Sequence, residues 1–173
     1  VDVFYFIRQH EKKTRAADAP RLPQILDKIA ELKRFGQKTG AGFYRYEGRT
    51  PTPDPVVEGL IVAESKRLGI VRRAVSDDEI LRRCIAAMVN EGARVLEEKI
   101  ALRPSDIDVI YIHGFGFPAW RGGPMFHADQ VGLPKILADV QEFHRRFGER
   151  WTPSALLIRL VAEGKNFASL QGR

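Results

Sequence analysis

Residues 76–124, SDDEILRRCIAAMVNEGARVLEEKIALRPSDIDVIYIHGFGFPAWRGGP, constrain the fold more than any other stretch of the chain. Ile80, Leu81, Cys84, Ile85, Met88 and Val89, then Gly92, Val95, Leu96 and Ile100, recur at spacings of three and four. That period places them on one stripe of an α-helix, which at 1.5 Å per residue runs for roughly 30 Å. Ser76 is placed to cap the helix, and Glu79, three residues on, completes a capping box. Asp77 and Asp78 put negative charge at the positive end of the helix dipole. Arg82, Arg83, Glu91, Arg94, Glu97 and Glu98 fall mostly off the stripe. A helix of this length with one apolar face needs a partner surface of similar length, which the other segments must supply.

The totals exclude several classes. At 173 residues the chain supports one substantial core or two small ones. No apolar run approaches the ~20 residues that span a bilayer, and no secretory signal is visible. The first residue is Val, so the expectation is a piece of a longer chain or a processed product. The single cysteine, Cys84, has no partner for an internal disulfide; it reads as a small buried hydrophobe in a reducing compartment, against the alternative of a reactive thiol. The net charge of +6 is uneven: residues 1–50 hold 11 Lys or Arg against 6 Asp or Glu. That excess suits either a polyanion, such as a nucleic acid or a phosphate-bearing cofactor, or a solvated basic face. Basic and aromatic residues do not interleave as in a recognisable nucleic-acid module, so no nucleic-acid partner is expected.

In chain order, residues 1–9 (VDVFYFIRQ) suit the end of a helix or strand, and residues 10–19 a polar loop. Pro20 and Pro23 bracket the start of a helix striped by Ile25, Leu26, Ile29 and Leu32. RFGQKTGAGFYRYEG, residues 34–48, reads as a glycine turn that docks Phe43, Tyr44 and Tyr46 on a helical core. A phosphate cradle is the weaker reading, since neither GxxxxGK[ST] nor GxGxxG is present. Residues 50–55 hold three prolines and read as a linker; Asp54 caps a helix that opens at Pro55 and ends at Gly69. Further helices are expected over 107–113, from Pro124 to Gly132, over 133–147 and over 155–163, the last capped by Ser154. Met125, Phe126, Ala128 and Val131 are expected inward, and residues 165–173 as a loose tail. With no alternating-strand region of any length, the chain reads as mostly α.

Candidate chemistry is sparse. No H-E-x-x-H, C-x-x-C or other metal-ligand spacing occurs, and no metal is expected. The loop GFGFPAWRGG, residues 114–123, is the densest glycine and aromatic stretch. His113 and His127 flank it, and His113 with Asp106 or Asp129 forms a conceivable acid–base pair, although packing roles are the simpler reading. Arg121 suits either an anion beside the start of the next helix or a clamp on loop carbonyls, the clamp being favoured. The candidate loop residues, structural or ligand-facing, are His113, Gly114, Phe117, Pro118, Arg121, Gly122 and Gly123. Asn90, at the edge of the long stripe, needs a partner if buried and is expected to bond across helices.

FGQKTGAGFYRY, SDDEILRRCIAAMVNEGARVLEEKIA and DVIYIHGFGFPAWRGGPMFHADQVGL together resemble the C-terminal helical part of multifunctional fatty-acid β-oxidation enzymes. Those chains join an enoyl-CoA hydratase/isomerase part to an NAD-dependent 3-hydroxyacyl-CoA dehydrogenase. The resemblance covers residues 32–167 and is most specific at 35–47 and 84–133. It implies an all-α bundle like the C-terminal domain of 6-phosphogluconate dehydrogenase. Residues 1–49 would be the tail of an incomplete first helical repeat, 50–75 a linker and connecting helix, and 76–173 a nearly complete second repeat. The family's GxGxxG, its catalytic His–Glu pair and the site Asn of the first repeat would lie before Val1. The resemblance therefore gives Asn90, His113 and His127 no catalytic role, and no catalytic or cofactor-binding residue is assigned.

What the resemblance implies for this segment is support for the cleft in which acyl-CoA and NAD meet. NAD belongs to the parent enzyme, with no cofactor expected on the segment itself. The implied partners are the upstream dehydrogenase domain of the same chain, acyl-CoA in the parent, and a possible homodimer. The implied location is a bacterial cytoplasm, or the peroxisome if the source is eukaryotic; the last residues, Leu170, Gln171, Gly172 and Arg173, do not form a Ser-Lys-Leu-type address. The competing reading is a helical dimerisation or interaction module without catalytic role.

Overall fold

The computed structural model describes residues 1–14 and 24–171. Over these the chain is mostly helical and divides into two compact units, Val1–Ala74 and Val75–Arg173. The helix start expected at Pro20 and Pro23 lies outside the described residues.

The first unit contains α1 (Asp2–Thr14), α2 (Ile25–Glu31), a small antiparallel hairpin of β1 (Arg45–Glu47) and β2 (Thr50–Thr52), and α3 (Pro55–Arg67). Residues 10–14, expected in a loop, continue α1. The cause is Asp27, a buried carboxylate on α2 that accepts from Arg8 (3.1 Å), Gln9 (3.0 Å) and Lys12 (3.2 Å), so three polar side chains of α1 have a partner. Val3, Phe4, Phe6 and Ile7 of α1 are exposed.

The glycine turn closes on itself. Thr39 Oγ1 accepts from the Phe35 N–H (2.9 Å) and approaches the carbonyls of Gly36 and Ala41, while Arg34 donates to Gly42 O (3.2 Å). A Cβ on Gly42 would lie 2.8 Å from Gly36 Cα, so only glycine allows the two loop strands to meet. Phe43 and Tyr44 remain about half exposed, against the expectation that they dock on a core. The proline stretch is likewise not a free linker: Thr50–Thr52 pairs with Arg45–Glu47, and Pro51 sits opposite Tyr46. With two strands both are edges, so a proline is tolerated.

The start of α3 follows the expected chemistry. Asp54 accepts from the Val56 N–H (3.0 Å), with Pro55 in the first turn. Asp54 is buried and also bonds Arg34, with Arg45 close by. Glu64, only 1% exposed, accepts from Arg67 (2.7 and 2.8 Å) and from the Gln24 N–H (2.6 Å).

The second unit is built on α4 (Asp77–Glu97), with α5 (Pro104–Phe115), α6 (Pro124–Val131), α7 (Leu133–Phe147) and α8 (Ala155–Ala162). Ser76 Oγ accepts from the Glu79 N–H (3.2 Å) as expected, and the Glu79 carboxylate also faces Arg146 at 3.4 Å. The buried side of α4 is Ala86, Val89, Asn90, Gly92 and Ala93. A Cβ on Gly92 would come within 2.6 Å of Met125 Sδ, so the glycine admits the fully buried Met125 of α6. Cys84, expected in the core, is exposed, and so are Ile80 and Leu81. The stripe is real, but only its Val89 side faces the core of this unit.

Asn90 makes the expected bond across helices. Its Nδ2 donates to Thr152 O (2.9 Å) and its Oδ1 accepts from the Ser154 N–H (2.8 Å). Ser154 Oγ in turn accepts from the Leu157 N–H (3.1 Å) and caps α8. Helix α7 buries Leu133, Ile136, Leu137, Val140 and Phe143. The segment expected as a loose tail is anchored: Phe167 is 1% exposed, and Asp129 accepts from the N–H groups of Phe167 (2.9 Å) and Ala168 (2.8 Å). Phe126 is half exposed rather than inward.

Two predictions arise. The hydrogen bonds from Arg67 first, then from the Gln24 N–H, hold Glu64 at a pKa of about 2 against an ordinary 4.5. A depressed carboxylate contributes stability that is complete above its unfolded pKa and lost as pH falls through the folded one. Protection of the α2 and α3 amides, taken relative to the intrinsic exchange rate at each pH, should therefore fall from pH 4.5 down to about 2, and Glu64→Gln should flatten that limb. In the second unit, Asn90→Ala leaves the buried Ser154 N–H without its acceptor. It should lower stability by about 1–3 kcal/mol in urea unfolding.

Candidate functional site

Loop 116–123 is set by what surrounds it. Helix α5 runs two residues further than expected, through Gly114 and Phe115, and ends at Gly116 in the left-handed conformation (φ +71°). A 3-10 turn, Ala119–Arg121, leads through Gly122 and Gly123 into α6. The first N–H groups of a helix lack intrahelical acceptors. Here Asp108 of α5 supplies them, accepting from the N–H of Met125 (2.7 Å) and of Phe126 (3.1 Å). Burial raises the Asp108 pKa above the ordinary carboxylate value, and the two N–H bonds act against that rise. A Cβ on Gly123 would stand 2.4 Å from Asp108 Cβ, so the glycine is what lets the two segments touch.

Beside this loop lies an apolar groove of about 330 Å³. Its walls include Leu81, Cys84, Ile85 and Met88 of α4, Phe117 and Pro118 of the loop, and Val131 and Ile136 from α6 and α7. Four charged side chains, Arg82, Arg121, Lys135 and Asp139, and His127 complete it. Arg82 is committed to Asp139 (3.0 Å through Nε) and Glu142 (2.6 Å), which raise its pKa, and its guanidinium lies 5.5 Å from the Phe143 ring. Arg121 stacks on Trp120 at 4.3 Å, in place of the expected clamp on loop carbonyls. Burial first, then the nearby Arg121 charge, lowers the His127 pKa and favours its neutral form. The His127 ring sits 6.4 Å from that of Phe117.

Of the seven sequence candidates, Phe117, Pro118 and Arg121 line this groove. Gly122 and Gly123 shape the turn into α6. His113 and Gly114 are exposed and do not line the groove. The conceivable acid–base pairs do not form: Asp106 binds Arg103 (2.8 Å) and Asp129 holds the 167–168 turn. The sequence candidates omit Cys84, Met88 and Lys135, whereas His127, weighed beside the loop but left out of the seven, does line the groove. For the residues of α4, the signal was a stripe wider than one core face requires. Among the described residues no group of three or more His, Cys, Asp or Glu could hold a metal ion.

The described residues also do not fit a dinucleotide. Such a site needs a glycine turn between a parallel strand and a helix, whereas the sheet here is an antiparallel hairpin of three-residue strands.

Residues 80–169 match the family model for the 3-hydroxyacyl-CoA dehydrogenase C-terminal domain. The match spans more than half of the chain, and the chain belongs to that family. It is 44% identical over 158 residues to a peroxisomal bifunctional enzyme of Danio rerio, covering 85% of this chain and 22% of that one. It is 37% identical over 147 residues to a fatty acid oxidation complex subunit alpha of Vibrio campbellii, covering 84% of this chain and 20% of that one. The dehydrogenase part of multifunctional enzyme 1 from C. elegans matches with a TM-score of 0.61 and 26% identity, over 90% of this chain and 36% of that chain. The chain thus spans about a fifth of the length of the curated relatives it matches. No described helix is long and apolar enough to cross a membrane.

Two glycines of the α5–α6 segment should respond oppositely to alanine. Gly123→Ala meets Asp108 and adopts φ +96°, and should cost about 1–3 kcal/mol in urea unfolding. Gly114 is helical with nothing within 4 Å of an added Cβ, so Gly114→Ala should stabilise by roughly 0.5–1 kcal/mol.

Proposed function

We propose that this chain is the C-terminal helical part of an NAD-dependent 3-hydroxyacyl-CoA dehydrogenase in a multifunctional β-oxidation enzyme. The parent reaction is the conversion of a (3S)-3-hydroxyacyl-CoA and NAD+ to the 3-oxoacyl-CoA, NADH and a proton. The observation that carries this reading is the family match over residues 80–169, on a helical unit whose described residues form no dinucleotide cradle. NAD and the hydride chemistry it supplies then belong to an upstream domain of the parent. The role of this chain's own residues is support: Asn90, Asp108 and Asp129 lock helices and turns into a rigid body behind the acyl-CoA cleft. Residues 1–49 are read as the tail of a first helical repeat, 50–75 as a linker and connecting helix, and 76–173 as the second repeat. In the loop, Phe117, Gly122 and Gly123 serve that scaffold, Pro118 and Arg121 line the groove, and His113 and Gly114 are not assigned to chemistry. A bacterial cytoplasm is the proposed location, with the peroxisome as the alternative that the zebrafish relative suggests.

One set of observations favours a second reading, a helical dimerisation module. Val109, Ile110 and Phe115 of α5 are more than half exposed, as are Val3, Phe4 and Phe6 of α1.

The deciding assay follows NADH oxidation with acetoacetyl-CoA. The chain alone should show no turnover, and adding a separately expressed upstream dehydrogenase part should produce or raise it. Turnover by the chain alone overturns the supporting role. An upstream part that is fully active by itself and unaffected by mixing moves the assignment to the dimerisation module.

A further inference from the structure

We propose that the cleft between α4 and the 3-10 turn Glu149–Trp151 binds a dissolved phosphomonoester, a phosphate dianion on a small organic body. This cleft shares no lining residue with the groove beside residues 117–121. It stands on its own charges, whatever the reaction of the parent enzyme.

Both walls are in place before a ligand arrives. Arg83, Ala87, Glu91 and Arg94 succeed one another at spacings of four, four and three, so they share one face of α4. Arg150 and Trp151 form the opposite wall. Trp151 is buried on Phe143, with ring centroids 4.9 Å apart. Asn90 ties the residues that follow to α4, through Thr152 O (2.9 Å) and the Ser154 N–H (2.8 Å). Asn90 also lines the cleft, but both ends of its amide are spent on that turn. Walls fixed in this way lower the ordering cost of binding.

The charges set the ligand. Three guanidiniums and one carboxylate line the cleft. Arg94 answers the carboxylate, donating to Glu91 (3.2 Å) and to Thr152 O. Arg83 and Arg150 have no carboxylate partner among the described residues; the Arg83 guanidinium lies 4.4 Å from the centre of the Phe147 ring. Glu149, the chain neighbour of Arg150, does not line the cleft. Two positive charges are left over, which a dianion matches better than a carboxylate does. Guanidinium forks also suit phosphate oxygens, each giving two parallel hydrogen bonds. The apolar surfaces of Ala87 and Trp151 favour an ester over bare phosphate. At the ~30 Å³ that one water occupies in the liquid, a cleft of about 380 Å³ holds about a dozen heavy atoms.

The test follows the 173-residue chain by amide and indole NMR through titrations with phenyl phosphate, phenyl sulfate and inorganic phosphate. The pH is ~7.5, above the second phosphate pKa of about 6. Phenyl phosphate should shift the Ala87 amide and the Trp151 indole saturably, one ligand per chain. It should bind about tenfold tighter than phenyl sulfate, a monoanion of similar shape, and tighter than inorganic phosphate. Arg83→Gln with Arg150→Gln should weaken phenyl phosphate about tenfold or more. Arg145→Gln removes an exposed charge outside the cleft and should change affinity by less than about twofold. Ala87→Leu should block the cleft while keeping a good helix former on α4. Circular dichroism melts check that each variant is folded; where one is not, the remaining variants and the comparison of ligands on the unaltered chain decide.

Equal affinity for phenyl phosphate and phenyl sulfate overturns the proposal, as does the absence of saturable shifts. Inorganic phosphate that binds as tightly as the ester marks an adventitious ion only and overturns it too. The same follows if Arg145→Gln costs as much as the double variant. A response to phosphatidic acid vesicles or to a phosphoserine peptide, with none to the dissolved ester, gives the cleft to a lipid surface or a protein partner and overturns the proposal as well.

Discussion

The contact on which the second unit most depends is the Asp108 carboxylate on the backbone N–H groups of Met125 and Phe126. A helix that begins in the interior must find acceptors for those groups or lose its first turn. Asp108 lies on a different helix, so meeting this need fixes α6 against α5. Met125 then enters the space that Gly92 leaves on α4, and the three helices share one core. The loop between α5 and α6 has no freedom left to choose its path. Phe117 is buried, Gly123 is pressed on Asp108, and the groove wall follows from both.

Helix α4 divides its apolar stripe between two tasks. Ala86, Val89 and Ala93 are fully buried, and their small size lets neighbouring helices approach. Leu81, Cys84, Ile85 and Met88, larger on average, turn toward the groove. A stripe of period 3.6 that fed only a core would not need both arcs. The bond from Arg82 to Asp139 sits at the boundary and joins α4 to α7 by a charge pair, where apolar packing would have closed the groove.

The parts of this fold legible in the sequence are those decided by near neighbours. Asp54 with Pro55, Ser76 and Ser154 each mark a helix start because a cap needs only the next three residues. The all-helical class and the role of Asn90 followed from period and from the need of a buried amide for partners. What stayed hidden depends on distant partners. Asp27 extends α1 into a polar stretch, and Asp129 anchors the turn at Phe167 from 38 residues away. The exposure of Cys84 is not legible in periodicity, which identifies an apolar face but not what covers it. In the loop, glycine content pointed to the right region, yet Phe117, Pro118 and Arg121 line the groove while His113 and Gly114 do not.

Charge shows the same division between local and distant information. The first 50 residues hold most of the basic excess, which on composition alone points to a polyanion there. Their cations are in good part answered: Arg34 and Arg45 by Asp54, and Lys28 by Glu64, two carboxylates that arrive later in the chain on the start and the body of α3. The second unit is close to neutral by composition, yet among the described residues Arg121 and Lys135 have no carboxylate partner beside an apolar groove. Attraction at short range depends on the unpaired charge and its distance, whereas solvent and counterions screen the net charge of a segment within about 10 Å. The chemistry of a partner is therefore better read from cations left without a carboxylate at a cleft than from the eleven in the first segment.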